Sequence, residues 1–112
     1  MLKKEVLRGK HVFDAVYKKG RSKGGKYIVV FYKKNDLPYN RVAFLASKKV
    51  GNSVVRHRAA RLLRESYRQI SDKLVCGYDI IFIARNTIVD KKCQDVLRSM
   101  NFTVKKAGLM KE

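Results

Sequence analysis

The chain has 112 residues and a formal net charge of +18, from 27 Lys and Arg against 9 Asp and Glu. Its hydrophobic content of 46% is ordinary for a globular protein, which argues against disorder and for one domain, residues 1–112, with a single core. Self-repulsion of that size calls for an anionic partner, either nucleic acid or a membrane surface.

The membrane is the weaker candidate. The longest apolar runs, such as Tyr27 to Tyr32 and Ile80 to Ala84, fall far short of the about 20 residues that a span requires. The opening MLKKEVLRGKHVF is basic but no apolar region follows it, so it does not read as a secretory signal. Cys76 and Cys93 lack metal-ligand spacing and read as reduced thiols in a cytoplasmic protein. No membrane partner and no obligate protein partner is expected.

Taken in order, the first 34 residues carry eleven Lys or Arg and two acids. Within them Val12, Phe13, Val16 and Tyr17 share one helix face, and Gly20 is placed to end that helix. The basic RSKGGK segment, Arg21 to Lys26, reads as a flexible loop. Tyr27 to Lys33 and Arg41 to Ser47 read as strands, and the turn NDLPYN between them suggests an antiparallel hairpin. A helix over about Ser53 to Ser71 follows, then a strand over Tyr78 to Ala84 that is apolar enough to be central. A last helix spans about Asp90 to Lys106, with Val96, Leu97, Met100 and Val104 on one face. Lys105 to Glu112 reads as a frayed tail. The order helix, strand, strand, helix, strand, helix predicts an α+β protein with a mixed central sheet covered by helices.

The densest stretch is KKVGNSVVRHRAARLLRESYR, Lys48 to Arg68, with seven Lys or Arg against Glu65 alone. At helical spacing Val55, Ala59, Leu62, Leu63, Ser66, Tyr67 and Ile70 fall on one broad side. His57, Arg58, Arg61, Arg64, Glu65 and Arg68 fall on the other. Arg56 stands apart near the apolar edge, where its stem can cover a hydrophobic rim. Asn52 or Ser53 can cap the first turn, and Gly51 lets the chain turn sharply ahead of it. Lys48 and Lys49 add charge beside a helix N-terminus that already favours phosphate. A solvated face normally interleaves acids with bases, and this one has nearly none. Arginine predominates within the helix, and its planar fork suits phosphate. The row therefore predicts nucleic-acid binding. Phe13 and Tyr17, near strands carrying Tyr27, Phe31 and Tyr32, add stacking platforms of the kind that take unpaired bases.

Catalytic chemistry is sparse. His11 and His57, one on each basic helix, are the only histidines and the only pair from which a protein ribonuclease could be built. The acids are scattered, with no cluster fit to hold Mg²⁺. No catalytic residue and no metal ligand is assigned.

The same Lys48–Arg68 run resembles the signature of the bacterial ribonuclease P protein subunit, whose core is an Arg-Asn-Arg segment in a basic helix. The opening LRGKHVFDAVYKKG, the strand ending RVAFLASKK and the YDIIFIAR after the helix match as well, so the likeness covers about Leu7 to Phe102. The resemblance implies a two-layer α/β sandwich with a left-handed crossover through the basic helix, against the usual right-handed rule. It implies that a partner RNA performs catalysis and holds the Mg²⁺ ions that cut the 5′ leader from precursor tRNA. Phe13, Tyr17, Lys48 and Lys49 would serve the leader. Arg56, His57, Arg58, Arg61, Arg64 and Arg68 would face the catalytic RNA, with Asn52 and Gly51 shaping the approach. Two positions depart from the pattern: His57 stands where the central Asn is usual, and Ala60 where a Lys is common. His57 would replace the Asn as a donor. A ribosomal or chaperone-like RNA-binding protein would share the charge, and is the alternative.

Overall fold

The computed structural model describes residues 2–111. A 3-10 turn, Lys3–Glu5, leads into helix α1, Lys10–Lys19. Strands β1 (Arg21–Gly24), β2 (Ile28–Lys34) and β3 (Arg41–Ala46) follow, then helix α2, Ser53–Ile70. Strand β4, Tyr78–Ala84, and helix α3, Cys93–Lys106, complete the order. The sheet is mixed, four-stranded and ordered β1-β2-β4-β3.

Three expectations change here. The RSKGGK segment is not a loop: its first four residues are β1, paired antiparallel with β2 from Arg21 opposite Tyr32 to Gly24 opposite Val29. A short, charged strand at a sheet edge discourages pairing with other chains, so its composition imitates a loop. Strands β2 and β3 do not form a hairpin. Strand β4 lies between them, antiparallel to β2 and parallel to β3. The last helix begins at Cys93 and not at Asp90, because Asp90 takes a positive φ of 67° and a 3-10 turn, Asn86–Ile88, precedes it.

The NDLPYN connection explains the insertion of β4. Asn40 donates to the Val75 carbonyl and accepts from the Tyr78 N–H, both at 2.8 Å. Asn35 donates to Asp79 at 2.9 Å and accepts from the Leu37 N–H at 2.8 Å. The turn thus grips the start of β4 instead of closing β2 onto β3. Arg41 sits opposite Asp79 and donates to both carboxylate oxygens at 2.7 Å, which sets the β3–β4 register. Asp79 is buried, and this paired, charge-assisted geometry offsets its desolvation.

Strand β4 is buried on both faces. On one face Ile80, Phe82 and Ala84 join Ile28, Val30, Tyr32 and Val42 beneath Leu62, Leu63, Tyr67 and Ile70 of α2 and Val96, Met100 and Val104 of α3. On the other face Ile81 and Ala43 pack with Leu7 and Val16, and α1 covers them with Val12 and Phe13. Tyr27 and Tyr32 belong to the first of these cores, so they are packing residues and not stacking platforms.

The hand of the crossover follows from Val42. Its side chain enters the α2 layer, while its carbonyl accepts the Leu7 N–H at 3.0 Å on the edge remote from β4. For an L-residue in an extended strand these two directions fix the third. Seen from the α2 layer with β3 running upward, β4 lies to the left, so β3–α2–β4 is a left-handed crossover.

The tail is docked and not frayed. Gly108, at φ 79°, ends α3 with its N–H on Lys105, and the Leu109 N–H returns to Val104, the pattern of a helix stop with a buried residue behind it. Leu109 is 1% exposed, and Val75 and Lys111 make backbone bonds with Leu109 and Lys73. Glu112 lies outside the described residues. Leu109→Ala should lower unfolding free energy by about 2–4 kcal/mol in a denaturant titration, where a frayed tail would give no change.

Beneath α2, Phe44 stacks on Phe82 at 5.9 Å, and Tyr67 meets both rings at 5.5 and 5.7 Å. Burial pushes the Tyr67 phenol up to about 12, against a hydrogen bond from Asn40 that pulls it down. The folded state therefore holds the phenol proton more tightly than the unfolded chain, whose tyrosines ionise near about 10. That stability is fully present below about pH 10 and is lost as pH rises toward 12. Unfolding measured across that interval should lose roughly 2–3 kcal/mol more in the wild type than in Tyr67→Phe.

Candidate nucleic-acid interface

The basic helix is built as its periodicity requires. Ala59, Leu62, Leu63, Ser66, Tyr67 and Ile70 are buried, and His57, Arg58, Arg61, Arg64 and Arg68 are exposed. Asn52 is the cap: its side-chain oxygen accepts the Val55 N–H at 3.1 Å. Gly51 is required twice over, since φ is +152° and a Cβ there would meet the Val55 side chain at 3.0 Å. The first turn of α2 carries no acid, which leaves its dipole and free N–H groups for an anion.

Ser53, Val54, His57, Arg58, Arg61 and Arg64 line one shallow, open depression along this helix. Within it the arginines are held in different ways. Arg58 donates to the Lys91 carbonyl at 2.9 Å, so it also ties α2 to the segment ahead of α3. The Arg64 guanidinium lies 5.8 Å from the centre of the Phe44 ring. Arg61 makes only a loose exposed pair with Glu65 at 3.5 Å, worth little in water. Arg56 is half-buried, and its Nε is buried with no hydrogen-bond partner among the described residues. Its partial burial follows from its place at the edge of the apolar stripe. Val54, 76% exposed at the head of the depression, was not singled out from sequence. It lies just off the apolar stripe, so periodicity gave it no role.

The second surface is on the opposite side of the sheet. Tyr17 meets Phe31 edge-on, with centroids 5.0 Å apart and planes at 82°, and Phe13 lies 6.5 Å from Tyr17. Tyr17 is 40% exposed, and partial burial raises its phenol above the ordinary value, so the ring stays neutral in the physiological range. Beyond α1 the sheet leaves a row of Val29, Ile83 and Leu45, which the strand register places side by side. Leu45 is 37% exposed, so an apolar floor runs from the α1 aromatics toward the end of β3. Lys48 and Lys49 stand in the exposed turn just after that strand, where Ser47 accepts the Lys49 N–H at 3.3 Å. The floor residues follow from alternation along β2, β3 and β4, but only once the strand order is known.

His11 and His57 are both exposed, on α1 and α2, with the sheet between these helices. They share no cleft, which removes the geometry that a two-histidine nuclease would need. Cys76 and Cys93 are free thiols. Among the described residues no group of three or more His, Cys, Asp or Glu could hold a metal ion. Among the described residues no helix is long and apolar enough to cross a membrane.

A basic arginine helix thus lies on one layer of the sheet and an aromatic, lysine-flanked trough on the other. The family model for Ribonuclease P matches residues 1–108. The ribonuclease P protein component of Alkaliphilus oremlandii is 44% identical over 104 residues, covering 93% of this chain and 91% of that one. The corresponding component of a Thermoanaerobacter species is 39% identical over 103 residues, 92% of this chain and 89% of the relative. The Staphylococcus aureus RNase P protein superposes with a TM-score of 0.86 at 28% identity, over 96% of this chain and 98% of that one. The Thermotoga maritima protein gives 0.81 at 26% identity, over 90% and 96%. The chain belongs to the ribonuclease P protein family, as the protein component that partners the RNA subunit of the ribonuclease P holoenzyme.

Proposed function

We propose that this chain, acting as one RNA-binding domain over residues 1–112, uses its two faces for two RNAs. The arginine row of α2 takes the catalytic RNA, through Arg56, His57, Arg58, Arg61, Arg64 and Arg68, with Asn52 fixing the helix start. The trough between α1 and the sheet takes the single-stranded 5′ leader of precursor tRNA, through Phe13 and Tyr17 with Lys48 and Lys49. The observation that carries this reading is the separation itself. Two surfaces of different chemistry, one cationic and one aromatic, sit on opposite layers of one sheet.

The division of labour is physical. Guanidinium groups along a rigid helix suit a fixed array of phosphates. Exposed rings over an apolar floor suit unpaired bases, which stack without regard to sequence. His57 offers a ring N–H donor where an amide is usual, within the same depression as Arg58, Arg61 and Arg64. A surface of net charge +18 repels free Mg²⁺ and draws in polyanions, so the Mg²⁺ for cleavage is placed with the RNA. Screening of phosphate charge by this chain would then lower the Mg²⁺ that the RNA needs. Membership of the family favours this reading over a ribosomal or chaperone-like RNA-binding protein, and the cytoplasm is the compartment in which it would act.

Reconstitution tests it. The purified chain alone should leave precursor tRNA intact, and adding the catalytic RNA at low Mg²⁺ should give leader removal. Cleavage by RNA-free protein that is lost in His11→Ala or His57→Ala would overturn the reading. Affinity for single strands should fall by about 0.7 log units per log unit of salt for each phosphate contact.

The two faces should also separate by mutation. Phe13→Ala and Tyr17→Ala should weaken leader-bearing substrate by about 1–3 kcal/mol per lost stack and leave catalytic-RNA binding unchanged. Arg61→Ala and Arg64→Ala should do the reverse. Equal defects from both pairs, in filter binding of each RNA, would disprove the division.

A further inference from the structure

Among the described residues, five large apolar side chains are well exposed: Leu2, Tyr17, Leu45, Val54 and Phe102. Tyr17 and Leu45 line the α1 trough, and Val54 heads the α2 depression. Phe102, on α3 and 62% exposed, belongs to neither. Its ring stands on a ridge between two open depressions. One lies toward the β1–β2 loop and includes Lys26 and Arg98; the other includes Lys73 and Lys105. The Lys106 ammonium lies 5.9 Å from the ring centre.

The surroundings of this ring are cationic and fixed. Among the described residues Asp95 is the only acid lining either depression, and it is already engaged. It accepts the Lys92 N–H at 3.1 Å and the Arg98 guanidinium at 3.2 Å, and these contacts hold its carboxyl below the ordinary range. The facing loop is pressed onto α3, since a Cβ at Gly25 would overlap the Thr103 hydroxyl. The Tyr27 N–H reaches the Ser99 hydroxyl at 3.3 Å, and Arg85 donates to the Gly25 carbonyl at 2.8 Å. An exposed aromatic ring with Lys106 over one face, edged by Lys26, Lys73, Arg98 and Lys105, has the parts of a single-strand platform: a face for a base and cations for the phosphates on either side. The core of a protein–protein interface is, by contrast, depleted in lysine.

We propose that Phe102 is a third RNA contact, at which an unpaired nucleobase stacks while the flanking phosphates lie along Lys26, Arg98 and Lys105. It lies on the α2–α3 layer, across the sheet from the Tyr17 trough, so a strand held here is not the strand in that trough. The proposal rests on the RNA-binding function above.

The chain has no tryptophan, so Phe102→Trp places a single indole at the site. Its emission should be quenched by a short oligouridylate strand and not by the same strand annealed to its complement. The quench should persist when Tyr17→Ala is added. In that Tyr17→Ala background, Phe102→Ala should weaken oligouridylate binding by about fivefold or more, with an unchanged thermal melt. Absent quenching, quenching that Tyr17→Ala removes, or an unchanged affinity in Phe102→Ala would each overturn the proposal while catalytic-RNA binding stayed intact. Wild-type protein that bound no RNA at all would instead overturn the function on which it rests.

Discussion

Strand β4 must be kept dry on both faces, and the rest of the molecule answers to that constraint. Ile80 and Phe82 face one way, Ile81 the other, and each is fully buried. A strand of this kind needs helices on both sides, which is why α1 cannot join α2 and α3 on a single layer. Once the helices are divided, so are the surfaces they carry. The arginine row and the aromatic trough are held apart by an apolar strand whose Ile83 also helps to floor the trough.

Charge is handled in the same economical way. The Arg41–Asp79 pair is partly enclosed and sets a register. The Arg61–Glu65 and Arg98–Asp95 pairs are exposed. Most of the remaining cations face solvent without an acid nearby, a cost to the isolated chain that a polyanion removes. Several are pre-set for that encounter. Arg58 is tied to a backbone carbonyl and Arg64 rests on Phe44, so less side-chain freedom is lost when phosphate arrives.

Helix α2 was legible from sequence nearly to the residue, because a period of 3.6 sorts buried from exposed positions without reference to anything distant. Asn52, Gly51 and the offset of Arg56 followed from the same local rules. The sheet was not legible to the same degree. Nothing within NDLPYN says that Asn35 and Asn40 bond to β4 and not across a hairpin, since their partners lie about forty residues on. Strand β1 was hidden by its own Arg21, Lys23 and Gly24, which an edge tolerates and a loop also shows. The docked tail did leave a signal: Ala-Gly-Leu after a helix is a stop followed by a buried residue. Two apolar residues are too few for periodicity to register. The trough floor of Val29, Ile83 and Leu45 needed the strand order first, and so waited on the same long-range fact.

The place of β4 in the sheet also bears on how the protein is made. Synthesis delivers β2 and β3 well before β4, yet their facing edges have no partner until the chain has passed through α2 and reached Ala84. Until then the emerging chain is a cationic segment with two unpaired strand edges and a helix whose buried stripe has nothing to cover. The sheet closes through pairings as remote as Ile28 with Ala84, the kind of contact that slows folding and lengthens exposure to wrong partners. Repulsion among the early lysines and arginines keeps such nascent chains from one another during that wait. The charge that suits the finished protein to RNA thus also guards it before it has a fold.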